Sequence, residues 1–370
     1  MIVNVTAKTN KGLRRVNSLV HTPAPERIKK IHYAITYRCQ GRCTFCNIWK
    51  YYRDNPKRLR QELNLRQIDQ LFETSRYLRN VEEILLGGGE PFLREDFSAL
   101  VHYFGKRYPQ AEIYAATNAL SPKLIERRLR EILAFMPSSK FKLAISLDGD
   151  VRTHGRMRGR KDAYQKVLNT INSTRRQSAN IDITLSFTIT RDNYKHLAAC
   201  YELSKVLGTR FTMRFAQTSP LYYGNAAIDL GWTDADLQAV DCTIREIVAD
   251  LRKNRGIIPG LLKPDLYFFS RMVEYQRRPE RLVKCFSGTH SLFLDPYGNV
   301  YPCINLKKKM GNVTQEHFDR LWMSRSSADV RQFIAQQKCH CWTECEAFPS
   351  LHANRSVPLD NIKKTAHSML

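Results

Sequence analysis

The sequence lacks any apolar run long enough to cross a lipid bilayer. Its longest apolar stretches, such as Ile257-Ile258 and Tyr267-Phe-Phe269, fall far short of the roughly 20 residues that a spanning helix needs. Residues 1–10, MIVNVTAKTN, also lack the apolar core of a secretory signal. We therefore expect a cytoplasmic protein without a transmembrane segment, in which the cysteines stay reduced.

Acidic residues are few compared with basic ones. The chain has 35 Asp and Glu against 59 Lys and Arg, which gives a formal net charge of +24. The excess is spread over several short clusters and does not form one tail. Such a surface either is simply solvated or attracts an anionic partner, and charge alone does not separate nucleotide, phosphorylated and lipid partners. It does weigh against a polycationic substrate.

The chain of 370 residues is longer than one hydrophobic core usually supports, so we expect two domains. Its content of 43% hydrophobic and 10% aromatic residues is ordinary for a folded protein.

Three of the ten cysteines lie within eight residues. Cys39, Cys43 and Cys46 form a CxxxCxxC run directly after an alternating apolar stretch at 31–36. Three thiolates on one short loop can hold three irons of a [4Fe-4S] cube and leave the fourth iron free to bind and reduce a second molecule. A zinc site needs four closed ligands, and a disulfide needs an oxidising compartment. The spacing therefore favours an iron-sulfur site over both.

Apolar, beta-branched segments alternate with segments of helical period after this loop. The predicted strands are 31–36, 83–86, 112–116, 143–147, 183–188 and 211–215. The predicted helices between them are 65–78, 97–107, 122–135, 163–176 and 194–207. This alternation predicts an α/β fold whose main domain is an open (βα)6 partial TIM barrel over residues 31–217.

The remaining chain has a different pattern. We expect a helical connection over 218–284, with helices at 234–253 and from Pro264 to about Gln276. Residues 291–301 read as two short strands around a Pro-Tyr-Gly-Asn turn, and this hairpin belongs to a second domain over 285–350. Residues 1–30 form an N-terminal extension and residues 351–370 a C-terminal tail.

Unusual residues follow the predicted strands at their carboxyl ends, where parallel α/β folds bind ligands. The second strand runs into Gly87-Gly-Gly-Glu-Pro91, the third ends at Thr117-Asn-Ala119, and the fourth ends at Ser146-Leu-Asp-Gly149. Each motif alone is typical of a turn or a cap. Their order and placement together indicate a binding site.

The cysteine loop, the GGEP segment and the SLDG segment, in this order, resemble the radical S-adenosylmethionine (radical SAM) superfamily over nearly the whole chain. The resemblance implies that Cys39, Cys43 and Cys46 hold a catalytic [4Fe-4S] cluster and that S-adenosylmethionine chelates its fourth iron. The implied contacts with S-adenosylmethionine are Phe45 to the adenine, Gly88, Gly89 and Glu90 to the methionine ammonium, Ser146 and Asp148 to the ribose, and Arg158 to the methionine carboxylate. Asn118 is a further implied contact, although the chain has TNA where the family commonly has TNG.

A second cysteine group lies in the predicted C-terminal domain. Cys285, Gly298 and Cys303 fit C-x12-G-x4-C, and Cys339, Cys341 and Cys345 follow. Structural zinc is one interpretation. The pattern also resembles the SPASM/twitch extension of the superfamily, which implies an auxiliary iron-sulfur cluster of the [4Fe-4S] type. Its expected ligands are Cys285, Cys303 and two of the last three cysteines, with Cys345 preferred, then Cys341, and Cys339 as the alternative.

The resemblance implies a 5'-deoxyadenosyl radical that abstracts hydrogen from an unactivated carbon, and an external one-electron reductant of the flavodoxin or ferredoxin type. We expect an oxidoreductase or epimerase that oxidises, inverts or couples carbon centres of an anionic or sugar-containing small molecule. A ribosomal peptide is the second expected substrate class, since the 38 residues before Cys39 are fewer than a leader-binding domain needs. RNA modification and an acidic lipid-linked substrate, reached by peripheral membrane contact, are further alternatives.

Overall fold

The fold is taken from a computed structural model, which describes residues 27–255 and 264–353. Most of the predicted N-terminal extension and nearly all of the predicted C-terminal tail lie outside the described residues.

Six parallel strands form the main sheet and follow one another in chain order. They are β1 (Lys30–Thr36), β2 (Glu83–Gly88), β3 (Glu112–Thr117), β4 (Phe141–Ser146), β5 (Asp182–Ile189) and β6 (Arg210–Phe215). Each strand pairs in parallel with the next, so β6 is one edge of the sheet and β1 lies at the other end of this series. This arrangement confirms the expected α/β fold with a partial TIM barrel.

Helices connect the strands and cover the outer face of the sheet. They are α1 (Lys50–Asp54), α2 (Leu65–Thr74), α3 (Phe97–Arg107), α4 (Pro122–Leu133), α5 (Val151–Arg158), α6 (Ala163–Gln177), α7 (Leu197–Val206) and α8 (Asp234–Arg255). The C-terminal part contains α9 (Pro264–Ser270), α10 (Met272–Arg277), α11 (Phe318–Met323), α12 (Arg325–Ala335) and α13 (Glu344–Ala353).

Amphipathic periodicity explains how these helices pack. In α2, a capping box between Asn64 and Gln67 satisfies backbone donors at the first turn. The apolar face of α2 is buried, and Phe72 meets Phe104 of α3 edge to face with ring centroids 5.0 Å apart. β1 is buried on both faces, whereas β3, β4 and β6 alternate buried residues with less buried ones, so only one of their faces is fully covered. This packing fixes the strand ends from which the site is built.

The C-terminal hairpin extends the same sheet. β7 (Ser291–Leu294) pairs in parallel with β1, and β8 (Asn299–Tyr301) and β9 (Gly311–Asn312) continue the sheet in antiparallel order. Gly298 adopts a φ of 81° in the turn between β7 and β8, a conformation that favours glycine. The hairpin thus anchors the C-terminal cysteines beside the barrel edge.

No helix among the described residues is both long enough and apolar enough to cross a membrane.

Candidate active site

An open cavity lies at the carboxyl ends of the parallel strands. The cysteine loop after β1 and the ends of the strands from β2 to β6 line it. Residues 343–345, at the start of α13, close the opposite side.

The cysteine loop brings Cys39, Cys43 and Cys46 together in the wall of this cavity. Backbone hydrogen bonds of 3.0 Å join the loop to the end of α5, from Arg42 N–H to the carbonyl of Arg158 and from Thr44 N–H to the carbonyl of Met157. These bonds hold the loop against the barrel, and the three sulfurs are presented to one cavity.

Burial controls the ionisation of these thiols. It raises the pKa of Cys39 and raises the pKa of Cys46 to about 12, and the neighbouring Cys43 adds to both shifts. Two donors face the sulfurs: Arg158 Nη1 lies 3.5 Å from Cys43 Sγ, and Asn118 Nδ2 lies 3.6 Å from Cys39 Sγ. In the absence of a metal, burial therefore favours neutral thiols. The two donors would stabilise thiolates that are bound to iron.

The glycines after β2 allow the backbone to pass close to the cysteine loop. Gly88 has a φ of 121°, and a side chain there would overlap the carbonyl oxygen of Thr36. A side chain at Gly89 would overlap the carbonyl of Arg38. Both glycines line the cavity, so the missing side chains leave their peptide groups open to a ligand.

Glu90 is buried beneath this turn. Its carboxylate accepts hydrogen bonds from the Thr117 hydroxyl at 2.9 Å, from Asn118 N–H at 2.8 Å and from Phe92 N–H at 3.3 Å. Burial raises the pKa of Glu90 to about 7, although these hydrogen bonds act in the opposite direction. The side chain is thus poised to change its charge near neutral pH.

The end of β3 carries Asn118 into the cavity wall. The next residue, Ala119, has a φ of 57°, which lies in the left-handed region that favours glycine. The TNA sequence therefore retains the backbone shape for which TNG is suited, and it does so with a strained alanine.

The predicted contacts after β4 divide into two layers. Ser146 lines the cavity, whereas Asp148 is fully buried behind it. Asp148 accepts hydrogen bonds from Arg158 Nε at 2.6 Å and from Thr188 N–H at 2.9 Å. The Arg158 guanidinium lies 5.4 Å from the centre of the Phe45 ring, and both residues line the cavity. Asp148 thus orients Arg158 between Phe45 and Cys43.

The opposite wall contains residues that no sequence motif identified. Arg214, at the end of β6, is paired with Glu344 at the start of α13, and this acidic partner raises the pKa of the guanidinium despite its burial. Gln217 Nε2 donates to the carbonyl of Trp342 at 2.9 Å, so the same strand end holds the segment before α13. Tyr222 accepts a 2.8 Å hydrogen bond from Gly88 N–H. Arg214 lies in the predicted strand 211–215, but the partners of Arg214 and Gln217 are far away in the chain.

A second cavity of about 610 Å³ lies in the C-terminal part. Cys285, Cys303, Cys339 and Cys341 line it, while Cys345 lines the first cavity. Burial raises the pKa of Cys341 to about 12, and the nearby Cys285 contributes to this shift. The structure therefore groups four of the five predicted thiols in one place. Cys345 is next in the chain to Glu346, which lines the second cavity.

Family models match both cysteine-containing parts of the chain. The model of the radical SAM superfamily matches residues 33–203, and that of the SPASM iron-sulfur cluster-binding domain matches residues 285–346. The chain belongs to the radical SAM superfamily. The two matched domains imply S-adenosylmethionine and iron-sulfur clusters as the cofactors of this radical SAM protein.

Relatives of this radical SAM protein span two kinds of substrate. It is 24% identical over 327 residues to an AdoMet-dependent heme synthase of Nitratidesulfovibrio vulgaris, which covers 84% of this chain and 82% of the relative. It is also 24% identical over 275 residues to the PqqA peptide cyclase of Granulibacter bethesdensis, which covers 73% of this chain and 66% of the relative.

A solved structure has the same fold. It is described as native anSMEcpe with bound AdoMet and Cp18Cys peptide, and it matches 92% of this chain and 99% of its own with a TM-score of 0.58 and 15% sequence identity. At this identity the likeness concerns the fold.

The donor groups of this radical SAM protein fit the implied clusters. Both cavities present several buried thiols, which are the ligands that iron-sulfur clusters take. Within residues 27–255 and 264–353, no three side chains of His, Cys, Asp or Glu are grouped around one point as a single metal ion would require. Thiolates of a cube each bind a separate iron, so they need no such convergence.

Proposed function

We propose that this radical SAM enzyme abstracts a hydrogen atom from an unactivated carbon of an anionic small molecule. The observation that carries the proposal is that the three-cysteine loop and the half-buried cation Arg214 line one cavity. When bound, the cluster supplies the electron that cleaves S-adenosylmethionine into methionine and the 5'-deoxyadenosyl radical that attacks the substrate. The chain itself would bind, orient and shield the reacting groups.

Cys39, Cys43 and Cys46 would hold the cluster, and the glycine turn with Glu90 would receive the methionine ammonium. Glu90 supports this role because it lies directly after the two glycines that open the backbone to the cavity. An ammonium beside it would favour the charged carboxylate.

The other proposed contacts with S-adenosylmethionine come from the cysteine loop itself, from the end of β4 and from the end of α5. Ser146 would contact the ribose, Phe45 the adenine and Arg158 the methionine carboxylate. The Asp148 carboxylate would act through Arg158, since it fixes the direction of the guanidinium. These roles are compatible with a nucleoside lying along the ends of β2, β3 and β4.

The substrate would bind between the nucleoside and α13. Arg214 is a permanent cation in this region, and its planar guanidinium suits a carboxylate or phosphate. Glu344 Oε2 is buried and accepts no hydrogen bond within the described part of the chain. The pair could therefore open toward a substrate that offers an anionic group to Arg214 and a hydrogen-bond donor to Glu344.

The auxiliary cluster would be held by Cys285, Cys303 and Cys341 with one further thiol. Cys339 is favoured by its place in the second cavity, whereas Cys345 is favoured by the family pattern. Residues 343–345 line the first cavity, and the adjoining residues Cys341, Trp342 and Glu346 line the second. An electron left on a substrate radical would therefore have only a short distance to travel to this cluster. Net oxidation is the outcome that this proximity favours most.

The relatives divide the candidate substrates into two groups. The similarity to a heme synthase supports a carboxylate-bearing tetrapyrrole or another small anion. The similarity to a peptide cyclase supports a peptide as the second candidate. The positive charge of the chain is compatible with an acidic member of either group.

The proposal is tested with anaerobically reconstituted enzyme, S-adenosylmethionine and dithionite. Tetrapyrrole carboxylates, sugar phosphates and acidic peptides are added separately, and 5'-deoxyadenosine is measured. We expect one anionic class to raise its formation at least about tenfold, and its neutral methyl esters or amides to give no increase. Equal stimulation by the neutral compounds would contradict the anionic assignment.

A further inference from the structure

The outer surface next to the cysteine loop carries an unusual concentration of positive charge. Residues 38–60 contain seven Lys or Arg and one Asp, a net charge of +6 within 23 residues. Five of the cations are exposed: Arg38, Arg42, Arg53, Lys57 and Arg60. We call this surface the loop-side basic face. It accounts for a quarter of the net charge of the whole chain.

Trp49 links this face to the cysteine loop. Its indole N–H donates to the carbonyl of Cys46 at 3.1 Å, and the half-buried ring also lines the active-site cavity. Three cations surround the ring, with Arg53 at 4.8 Å, Lys50 at 5.4 Å and Arg42 at 5.7 Å from its centre. A partner that contacts these cations is thus one side chain away from a predicted cluster ligand.

We infer that the loop-side basic face docks an acidic one-electron carrier protein of the flavodoxin or ferredoxin class. The inference rests on the proposed function, because only a redox-active cluster on the loop needs an external electron. Carrier complexes are small and transient, and charge complementarity sets their rate of association more than buried area does. A dense cationic patch beside the electron acceptor meets that requirement.

The same observations weigh against a nucleic acid as the occupant. Single-stranded nucleic acids bind through aromatic rings that are free to stack on bases. Here the ring of Trp49 is surrounded by cations, and Arg58 lies over the rings of Tyr51 and Tyr297 at 5.8 and 4.6 Å. Leu59 adds an exposed apolar contact of the kind found at protein interfaces, with 37% of its surface accessible.

Charge reversal tests the inference without touching the cavity. The triple variant R53E, K57E, R60E changes exposed cations of the loop-side basic face, none of which lines the active site. The matched control K123E, R127E, R130E makes the same charge change on the exposed side of α4. Both variants are reconstituted with iron and sulfide, and their thermal unfolding is compared with that of the wild type.

Two measurements are made with a purified acidic flavodoxin in its hydroquinone form. Its Kd for each protein is determined at 50 and 300 mM NaCl, and the rate of 5'-deoxyadenosine formation is compared with flavodoxin and with dithionite as reductant. We expect the face variant to weaken flavodoxin binding at low salt and to slow the flavodoxin-driven rate, each at least about tenfold. The dithionite-driven rate of the face variant should equal that of the wild type. The α4 control should match the wild type in both flavodoxin binding and flavodoxin-driven rate.

Unchanged flavodoxin binding by the face variant would overturn the inference. Loss of poly(U) binding in this variant, with flavodoxin binding intact, would also overturn it, since the face would then bind RNA. Absence of dithionite-driven cleavage in the wild type would instead contradict the proposed function, while the binding comparison would still decide the docking surface.

Discussion

Arg214 and Glu344 form an ion pair inside the cavity that faces the cysteine loop. The pair joins the end of β6 to the first residue of α13, and the two residues are 130 positions apart in the chain. It therefore both closes the active site and places a cation where a substrate would bind.

Replacing Arg214 tests its role in substrate binding. We expect R214Q to raise the KM for the anionic substrate at least about tenfold, with a smaller rise in R214K, because lysine keeps the charge but lacks the planar fork. Removal of one partner also leaves a half-buried charge unpaired, which lowers stability. The double variant R214Q, E344Q removes both charges and separates the two effects. A wild-type KM in the double variant would show that Arg214 does not bind substrate.

The raised pKa of Glu90 predicts how the affinity for S-adenosylmethionine depends on pH. Burial raises its pKa to about 7, so below that pH the free protein holds a neutral carboxyl and above it a carboxylate. An ammonium group binds the carboxylate, and the affinity should therefore rise as the pH increases from 6 to 8. In E90Q the affinity should be lower, and it should no longer rise between pH 6 and 8. Titration calorimetry of both proteins with the same ligand isolates Glu90, and an identical pH dependence would contradict its role.

Alanine substitutions at two glycines with positive φ distinguish the cost of backbone strain from the cost of steric overlap. Ala at Gly208 meets no atom within 4 Å, so G208A should lower the free energy of unfolding by only about 1 kcal/mol. Ala at Gly88 would overlap the Thr36 carbonyl, so G88A should lower it by more than about 3 kcal/mol. Urea unfolding measures both values. Equal losses would mean that the turn after β2 is not tightly packed against the cysteine loop.

Metal counting tests the second cavity. With two cubes we expect about eight irons per reconstituted chain, and about four in C303A, since Cys303 is buried among the second group of thiols. C303A should still cleave S-adenosylmethionine, because its first cavity is unchanged. About four irons with one zinc per wild-type chain would identify the second site as a zinc site.

Much of the barrel was predictable from local sequence. The six strands were placed to within two residues at either end because beta-branched runs alternate with amphipathic helices such as α3, whose bounds were predicted without error. The short helix α5 was missed. Gly155 and several polar residues weaken its apolar period, and its stability comes from a cap at Asp150 and burial of His154 and Met157.

The site was predictable only where a motif marked it. Residues of the cysteine loop, Gly88, Gly89 and Ser146 line the cavity as their positions at strand ends suggested. The pairing of Arg214 with Glu344 depends on contacts across the whole fold, which no local pattern encodes. The pairing of β7 with β1 is of the same kind, and it determines on which side of the barrel the C-terminal cysteines lie.

Reductive cleavage of S-adenosylmethionine by the wild type and C43A tests the central claim most directly. Both proteins are reconstituted anaerobically and reduced with dithionite, and 5'-deoxyadenosine and methionine are quantified by chromatography. We predict stoichiometric formation of both products by the wild type and none above background by C43A, with the absorbance of the second cluster retained. Cleavage by C43A at the wild-type rate would contradict the claim that this loop holds the catalytic cluster.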